Sequence, residues 1–252
     1  MRPYLLAEVT WAEARDADYA VAVLPWGATE PHNFHLPYAT DTTLAEGVAA
    51  EAARRAWESG TRVVVLPAIP YGANAMQLGL GPTIDLSPST QAHVLRDIVR
   101  SLEAAGIPRL VILNAHGGNG FKPLLRELQA QTEVFLAAVD WWRVLPAADY
   151  FDEPGDHAGE LETSAMQHLC PDLVRPLSEA GSGAERRFRV QALSEGWAWA
   201  PRDWRRMTAD TGVGDPRAAT PEKGAAFVEA VVGRIASFIE EFAAMDPSDP
   251  YL

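Results

Sequence analysis

Cysteine is almost missing from this 252-residue chain. Cys170 stands alone, so no internal disulfide can form and the composition points to a reducing compartment. Long apolar runs are missing too: no stretch approaches the roughly 20 apolar residues that a membrane helix needs. The opening segment, MRPYLLAEVTWAEARDAD, carries acidic residues early and no uninterrupted apolar run, unlike a secretion signal. A cytoplasmic location is expected. Positive charge is in short supply, with 21 Lys+Arg against 34 Asp+Glu and a net charge of −13. Such a surface repels phosphate backbones and anionic lipid. Nucleic acid and membrane are therefore set aside as main partners, and a small-molecule substrate is expected. No low-complexity linker and no internal repeat divides the chain, so residues 1–252 are read as one domain.

What is present is an alternation of two periods. Apolar runs at Tyr19–Pro25, Arg62–Leu66, Arg109–Leu113 and Glu133–Val139 predict strands. Between them lie helical patterns: Thr42–Ser59 before Gly60, a segment opened by Ser87-Pro88 and closed by Gly106, and about Phe121–Gln131. Strand–helix–strand repeated in this way gives an α/β fold with a mostly parallel sheet covered on both faces. A helix from about His157 to Leu169 and a long amphipathic one over Pro221–Ala244 follow, separated by an irregular excursion over residues 177–218. The closing DPSDPYL reads as a loose tail.

Histidine is scarce, at six residues, and its placement is informative. His32, His35 and His116 fall in loops at the C-terminal ends of predicted strands, where open parallel sheets form their ligand crevice. His157 starts the helix after the fourth strand. In Glu30-Pro31-His32, the carboxylate and imidazole are two apart and project to one side of an extended segment. With Asp41 they can hold a divalent cation through mixed oxygen and nitrogen ligands, a set suited to Zn, Mn or Fe(II). The alternative is an Asp41 that caps the following helix beside an incidental loop histidine. In Asn114-Ala115-His116-Gly117-Gly118-Asn119, the glycines allow the backbone to approach a bound group closely; the alternative is a plain strand-to-helix turn. In His157-Ala158-Gly159-Glu160-Leu161-Glu162, helical geometry puts Glu160 on the face of His157 and points Glu162 away. Glu160 is therefore expected to bind metal with His157 nearby, and Glu162 to support the site by orienting a ligand or capping the backbone. An exposed acidic first turn, favoured by the helix dipole, is the alternative.

Taken together, LPWGATEPHNFHLPYATD, LVILNAHGGNG and DHAGELETS resemble the creatininase (creatinine amidohydrolase) family, in order and spacing, over roughly residues 20 to 170. The resemblance implies a three-layer α/β/α sandwich and two divalent metal ions per subunit (Zn, Mn or Fe). Glu30, Asp41 and His116 match the ligands of one ion; His32, a bridging Asp41 and a further glutamate match the other. His157 matches the proton-transfer histidine, acting with a water activated between the ions. A homo-oligomer, often a hexamer, is implied as well. Two departures stand out. Gly118 occupies the position where creatinine-specific enzymes carry a metal-binding glutamate, so Glu160 is the expected substitute, as in other HGGN-type members. Gln77 stands where a histidine often occurs. The expected reaction is hydrolysis of a C–N bond in a small amide, cyclic amide or formamide. Opening of a cyclic ketone (inosose-type) by C–C hydrolysis, or a catalytically inactive metal- or metabolite-binding module, are the alternatives.

Other residues carry weaker expectations. His35 is either a hydrogen-bonded loop residue or a substrate contact, and His93 and His168 are ordinary helix residues. One of Trp141 and Trp142 can stack on a flat substrate while the other enters the core, and Asp140 beside them can support the site. Six arginines between residues 186 and 206 are interleaved with Trp197, Trp199 and Trp204. Basic residues among aromatics can bind nucleic acid, but on an acidic chain this segment reads as subunit packing or as a lid for an anionic substrate.

Overall fold

The computed structural model describes residues 2–251. Four strands form a parallel sheet in the order β2-β1-β3-β4, with β1 at Val21–Trp26, β2 at Val63–Val65, β3 at Arg109–Asn114 and β4 at Phe135–Asp140. The central strands β1 and β3 are buried at every position, which is why they read as continuous apolar runs rather than alternating ones. Their side chains nonetheless alternate between two cores. Val21, Val23, Val111 and Leu113 face one side, whereas Ala22, Leu24, Leu110 and Ile112 face the other.

Helices supply the outer layers. On the first side, α2 (Thr40–Glu58), α5 (Glu160–Leu169) and α8 (Pro221–Ala244) pack together; on the second lie α3 (Pro88–Ala104) and α4 (Phe121–Gln129). The result is the expected α/β/α sandwich. Short helices α1 (Trp11–Ala14), α6 (Gln191–Ser194) and α7 (Trp204–Met207) lie outside it. Helix α8 begins where Thr220 Oγ1 accepts the Lys223 N–H at 3.2 Å and Pro221 occupies the first turn. Its buried stripe of Phe227, Val231, Ile235 and Ile239 contributes roughly 1.5–3 kcal/mol per side chain. Gly224 lies directly against the Ser164 carbonyl, and a methyl group there would collide with it. Glycine is what lets α8 and α5 approach so closely.

Several boundaries differ from the sequence reading, and three differences matter for function. β1 continues to Trp26, because Trp26 pairs with Asn114, which in turn pairs with Asp140. Three loops therefore leave the sheet at one level. Helix α2 starts at Thr40 with Ala39 as its unassisted cap, so Asp41 belongs to the first turn and does not cap it. Helix α5 starts at Glu160 rather than at His157: Ala158 is left-handed (φ 49°) and Gly159 is extended.

Candidate metal centre and active-site cavity

The three loops and the starts of α2 and α5 bring Glu30, His32, Asp41, His116, His157 and Glu162 to one place. Donor atoms of these side chains form three overlapping groups within 4.8 Å: Glu30–Asp41–His116, His32–Asp41–Glu162 and Glu30–His32–His157. Five of the six are essentially buried, and Glu162 is partly so. The sequence expectation for Glu30, His32, Asp41, His116 and His157 matches their placement.

The expectation for the two glutamates does not. Glu160 faces away from the cluster, where its Oε1 is gripped by Lys223 Nζ and its Oε2 accepts the Glu153 N–H at 2.9 Å. Glu162 turns inward, with Oε2 at 4.0 Å from His32 Nε2 and accepting the Ala158 N–H at 2.6 Å. The helical-face argument assumed that His157 belonged to the helix. The left-handed turn at Ala158 breaks that periodicity, so spacing from His157 says nothing about which acid points inward.

Each clustered histidine is anchored in the same manner. His32 Nδ1 donates to the Glu30 carbonyl at 3.1 Å, His116 Nε2 to the Ala73 carbonyl at 3.3 Å and His157 Nε2 to the Pro31 carbonyl at 2.9 Å. A carbonyl can only accept, so the proton of a neutral ring sits on the anchored nitrogen and the other nitrogen points inward with its lone pair. That is how metal-binding histidines are held. The inward nitrogens meet carboxylate oxygens. His32 Nε2 lies 3.0 Å from Asp41 Oδ1, while His116 Nδ1 lies 3.2 Å from Asp41 Oδ2 and 3.1 Å from Glu30 Oε1. His157 Nδ1 lies 3.6 Å from Glu30 Oε1. Gln77 donates to Glu30 Oε2 and so aims Oε1 inward.

The electrostatics are those of a site short of positive charge. Burial opposes protonation of His32, but Asp41, Glu162 and Glu30 outweigh it and push its pKa up to about 10. His116 is raised well above its ordinary value against the same burial cost, by Glu30 and Asp41. Burial raises the Glu162 carboxyl to about 7 despite the attraction of His32. Asp41, although burial opposes its ionisation, is held below the usual carboxylate range by His32 and His116. Asp41 Oδ2 is fully buried and accepts no hydrogen bond. Three carboxylates around two imidazoles, all drawn toward one point, form a donor set whose negative charge suits a cation. Oxygen and imidazole donors of this kind fit Zn or Mn.

The cluster forms the floor of a cavity of about 270 Å³. Trp142, Arg143, Met76 and Gln77 line one part of the wall, and Trp199, Arg202 and Trp204 another. Trp204 sets its ring edge-on to His157 at 4.9 Å, and Arg202 pairs with Asp156 at 2.6 Å. Trp141 is the core member of its pair, packed on Phe227, whereas Trp142 faces the cavity. Asp140 accepts from Asn114 Nδ2 at 2.8 Å, which steadies the His116 loop. His35 is buried and shares a hydrogen bond with Thr163 Oγ1 at 2.8 Å, away from the cavity wall. His93 and His168 are exposed. Sequence reasoning missed Lys223 as the partner of Glu160, because nothing local connects residues 63 positions apart. It noticed Gln77 only as a departure, without its bond to Glu30.

Comparison with known proteins agrees with this geometry. Residues 7–239 match the family model for creatininase, described as creatinine amidohydrolase. A mycofactocin precursor peptide peptidase of Mycobacterium ulcerans is 31% identical over 227 residues, spanning 85% of this chain and 84% of that protein. The creatinine amidohydrolase of Pseudomonas putida is 28% identical, over 94% and 96% of the two chains. Among solved structures, a Bacteroides fragilis protein assigned as a creatinine amidohydrolase superposes with a TM-score of 0.93 at 43% identity, covering 98% of both chains. A manganese form of creatininase gives a TM-score of 0.78 at 27% identity, over 94% and 98%. The chain belongs to the creatininase family of amidohydrolases.

Proposed function

We propose that this chain hydrolyses a C–N bond of an amide, cyclic amide or formamide with two divalent cations. Glu30, Asp41 and His116 would hold one, and His32, Asp41 and Glu162 the other. The observation that carries this reading is the position of Asp41 in both groups, with Oδ1 toward His32 and Oδ2 toward His116. The manganese and zinc forms among the similar creatininase structures support the choice of metal. When bound, such cations make water a better nucleophile at neutral pH and polarise a carbonyl.

The side chains supply the rest. Burial, together with the neighbouring His32, lowers the His157 pKa, which favours the neutral ring. With Nε2 fixed on the Pro31 carbonyl, Nδ1 is the atom that takes up a proton and passes it to the departing nitrogen. Gln77 fixes Glu30, and Trp204 shields His157 from water. The flat face of Trp142 offers a stacking wall for a planar amide. The named relatives, a peptidase and a creatinine amidohydrolase, both break C–N bonds, which favours this reaction over ring opening of a cyclic ketone.

The reading extends to three further points. Residues 1–252 form one catalytic domain, supported by a family match over residues 7–239. The enzyme works in the cytoplasm, supported by its lone cysteine; no helix among the described residues is long and apolar enough to cross a membrane. It assembles as a homo-oligomer, supported by Trp197 and Trp199, which are 76% and 85% exposed. The decisive test is Asp41→Asn. Elemental analysis should find both ions lost, and activity on a panel of lactams, formamides and peptide amides should fall by at least on the order of 10³-fold, about 4 kcal/mol. Retention of two ions by the variant would refute the shared-ligand reading.

A further inference from the structure

A second space adjoins the catalytic cavity, and its chemistry is different. It is a groove of about 660 Å³. Arg186, Arg187, Arg189 and Arg206 line it, with Phe188 as an apolar wall. The groove and the catalytic cavity share Pro201 and Arg202, so this segment borders both spaces.

The charge is unusual for this molecule. Residues 182–206 carry six arginines against Glu185, Glu195 and Asp203, a local charge of +3, which leaves −16 on the rest of the chain. Glu185 and Asp203 line the groove as well, but its five arginines outnumber them. Arg187 reaches Glu185 only at 3.7 Å, and Arg205 and Arg206 share Asp203. Arg186 has a backbone carbonyl at 3.5 Å as its hydrogen-bond partner, and Arg189 has no acidic partner among the described residues. Guanidinium groups that outnumber the acids around them repel one another, and their planar forks match carboxylates. An anionic ligand with several carboxylates satisfies both conditions.

We propose that this groove binds an acidic peptide segment of the substrate and leads the chain over Pro201 and Arg202 into the catalytic cavity. The proposal rests on the metal-site reading for the bond that is cleaved, and adds what lies on one side of that bond. An extended segment can lie along a groove and cross the shared Pro201–Arg202 border to reach the cavity beside it, whereas a folded partner seated there would cover the cavity mouth. The larger volume takes the recognised residues, and the smaller one takes the scissile amide.

The test uses fluorescein-labelled hexaglutamate and hexaglutamine peptides, read by anisotropy at low salt with the full-length protein. Hexaglutamate should bind at least ~10-fold more tightly, the equivalent of about 1.4 kcal/mol, and the preference should weaken as salt screens it. The combined variant Arg186→Gln, Arg187→Gln, Arg189→Gln should lose the preference while keeping its circular dichroism spectrum and metal content. Hexaglutamate ending in a hydroxamate, which chelates zinc, should bind the zinc-loaded protein ~10-fold more tightly than plain hexaglutamate if the groove leads to the cluster. Equal affinity for the two plain peptides would overturn the proposal, as would a preference that survives in the variant. A variant that changes oligomer mass but not peptide preference would assign the groove to contact between copies. No gain from the hydroxamate on zinc-loaded protein would separate the groove from the cavity. A protein that takes up no zinc yet keeps the glutamate preference would refute the metal-site reading and leave the groove standing.

Discussion

Two pockets of buried negative charge lie within one turn of α5, and the protein treats them in opposite ways. Behind the helix, Glu160 is fully buried and fully satisfied: Lys223 neutralises it, Glu153 donates to it, and Lys223 also reaches Asp152 at 2.9 Å. In front of the helix, Glu30, Asp41 and Glu162 converge, and among the described residues their salt-bridge partners are histidines, with no lysine or arginine. Buried carboxylates need compensation. Where the chain supplies its own cation, the charge serves packing; where it does not, the charge is arranged for a cation from outside.

That contrast can be broken most directly at Glu162. Glu162→Gln should lose one of the two ions in elemental analysis and reduce activity by on the order of 10³-fold, about 4 kcal/mol, while leaving the fold intact by circular dichroism. The counterpart, Glu160→Gln, should keep both ions and lose only the buried ion pair, since Lys223 stays paired with Asp152, costing about 1–3 kcal/mol in urea unfolding. Exchanged results would restore the assignment expected from spacing alone. A third measurement asks whether histidines outside the cluster behave differently. Burial and the charge on His32 lower His35 to about 4, so its neutral form stabilises the fold above its ordinary pKa near 6.5. That contribution is lost as the pH falls through 4, and over this window it amounts to at most roughly 3 kcal/mol. His35→Gln should flatten the acid limb of stability measured by thermal unfolding; an unchanged limb would show that His35 does not set it. The smallest effect is expected at Gln77. Gln77→Leu frees Glu30 without removing a ligand and should weaken metal affinity by about 10–100-fold in chelator competition.

Much of this was legible before any coordinates. The valine and leucine runs and the helix-end signals Ser87-Pro88, Gly60 and Gly106 set the layers, because burial of both sheet faces and the needs of helix ends act locally. The histidines and acids of the front pocket were legible because they sit in loops that leave parallel strands at one end. The choice between Glu160 and Glu162 was not, since it turns on the backbone of Ala158, a non-glycine residue in a left-handed conformation that no residue type announces. Lys223, Gln77 and the wall formed by Trp199, Arg202 and Trp204 were hidden for another reason: their partners are distant in sequence, and only packing of the whole chain joins them.

Gly118 carries one more implication. A side chain at this position would strike both the His116 ring and the Ala73 carbonyl that anchors it. A glutamate here, as the resemblance implies for creatinine-specific enzymes, thus has no room while Ala73 holds His116 as it does. Grafting it in would require the residue 69–77 loop to be rebuilt at the same time, and that loop also positions Gln77. Any change of side chain at Gly118 is therefore also a change of the loop that carries Gln77.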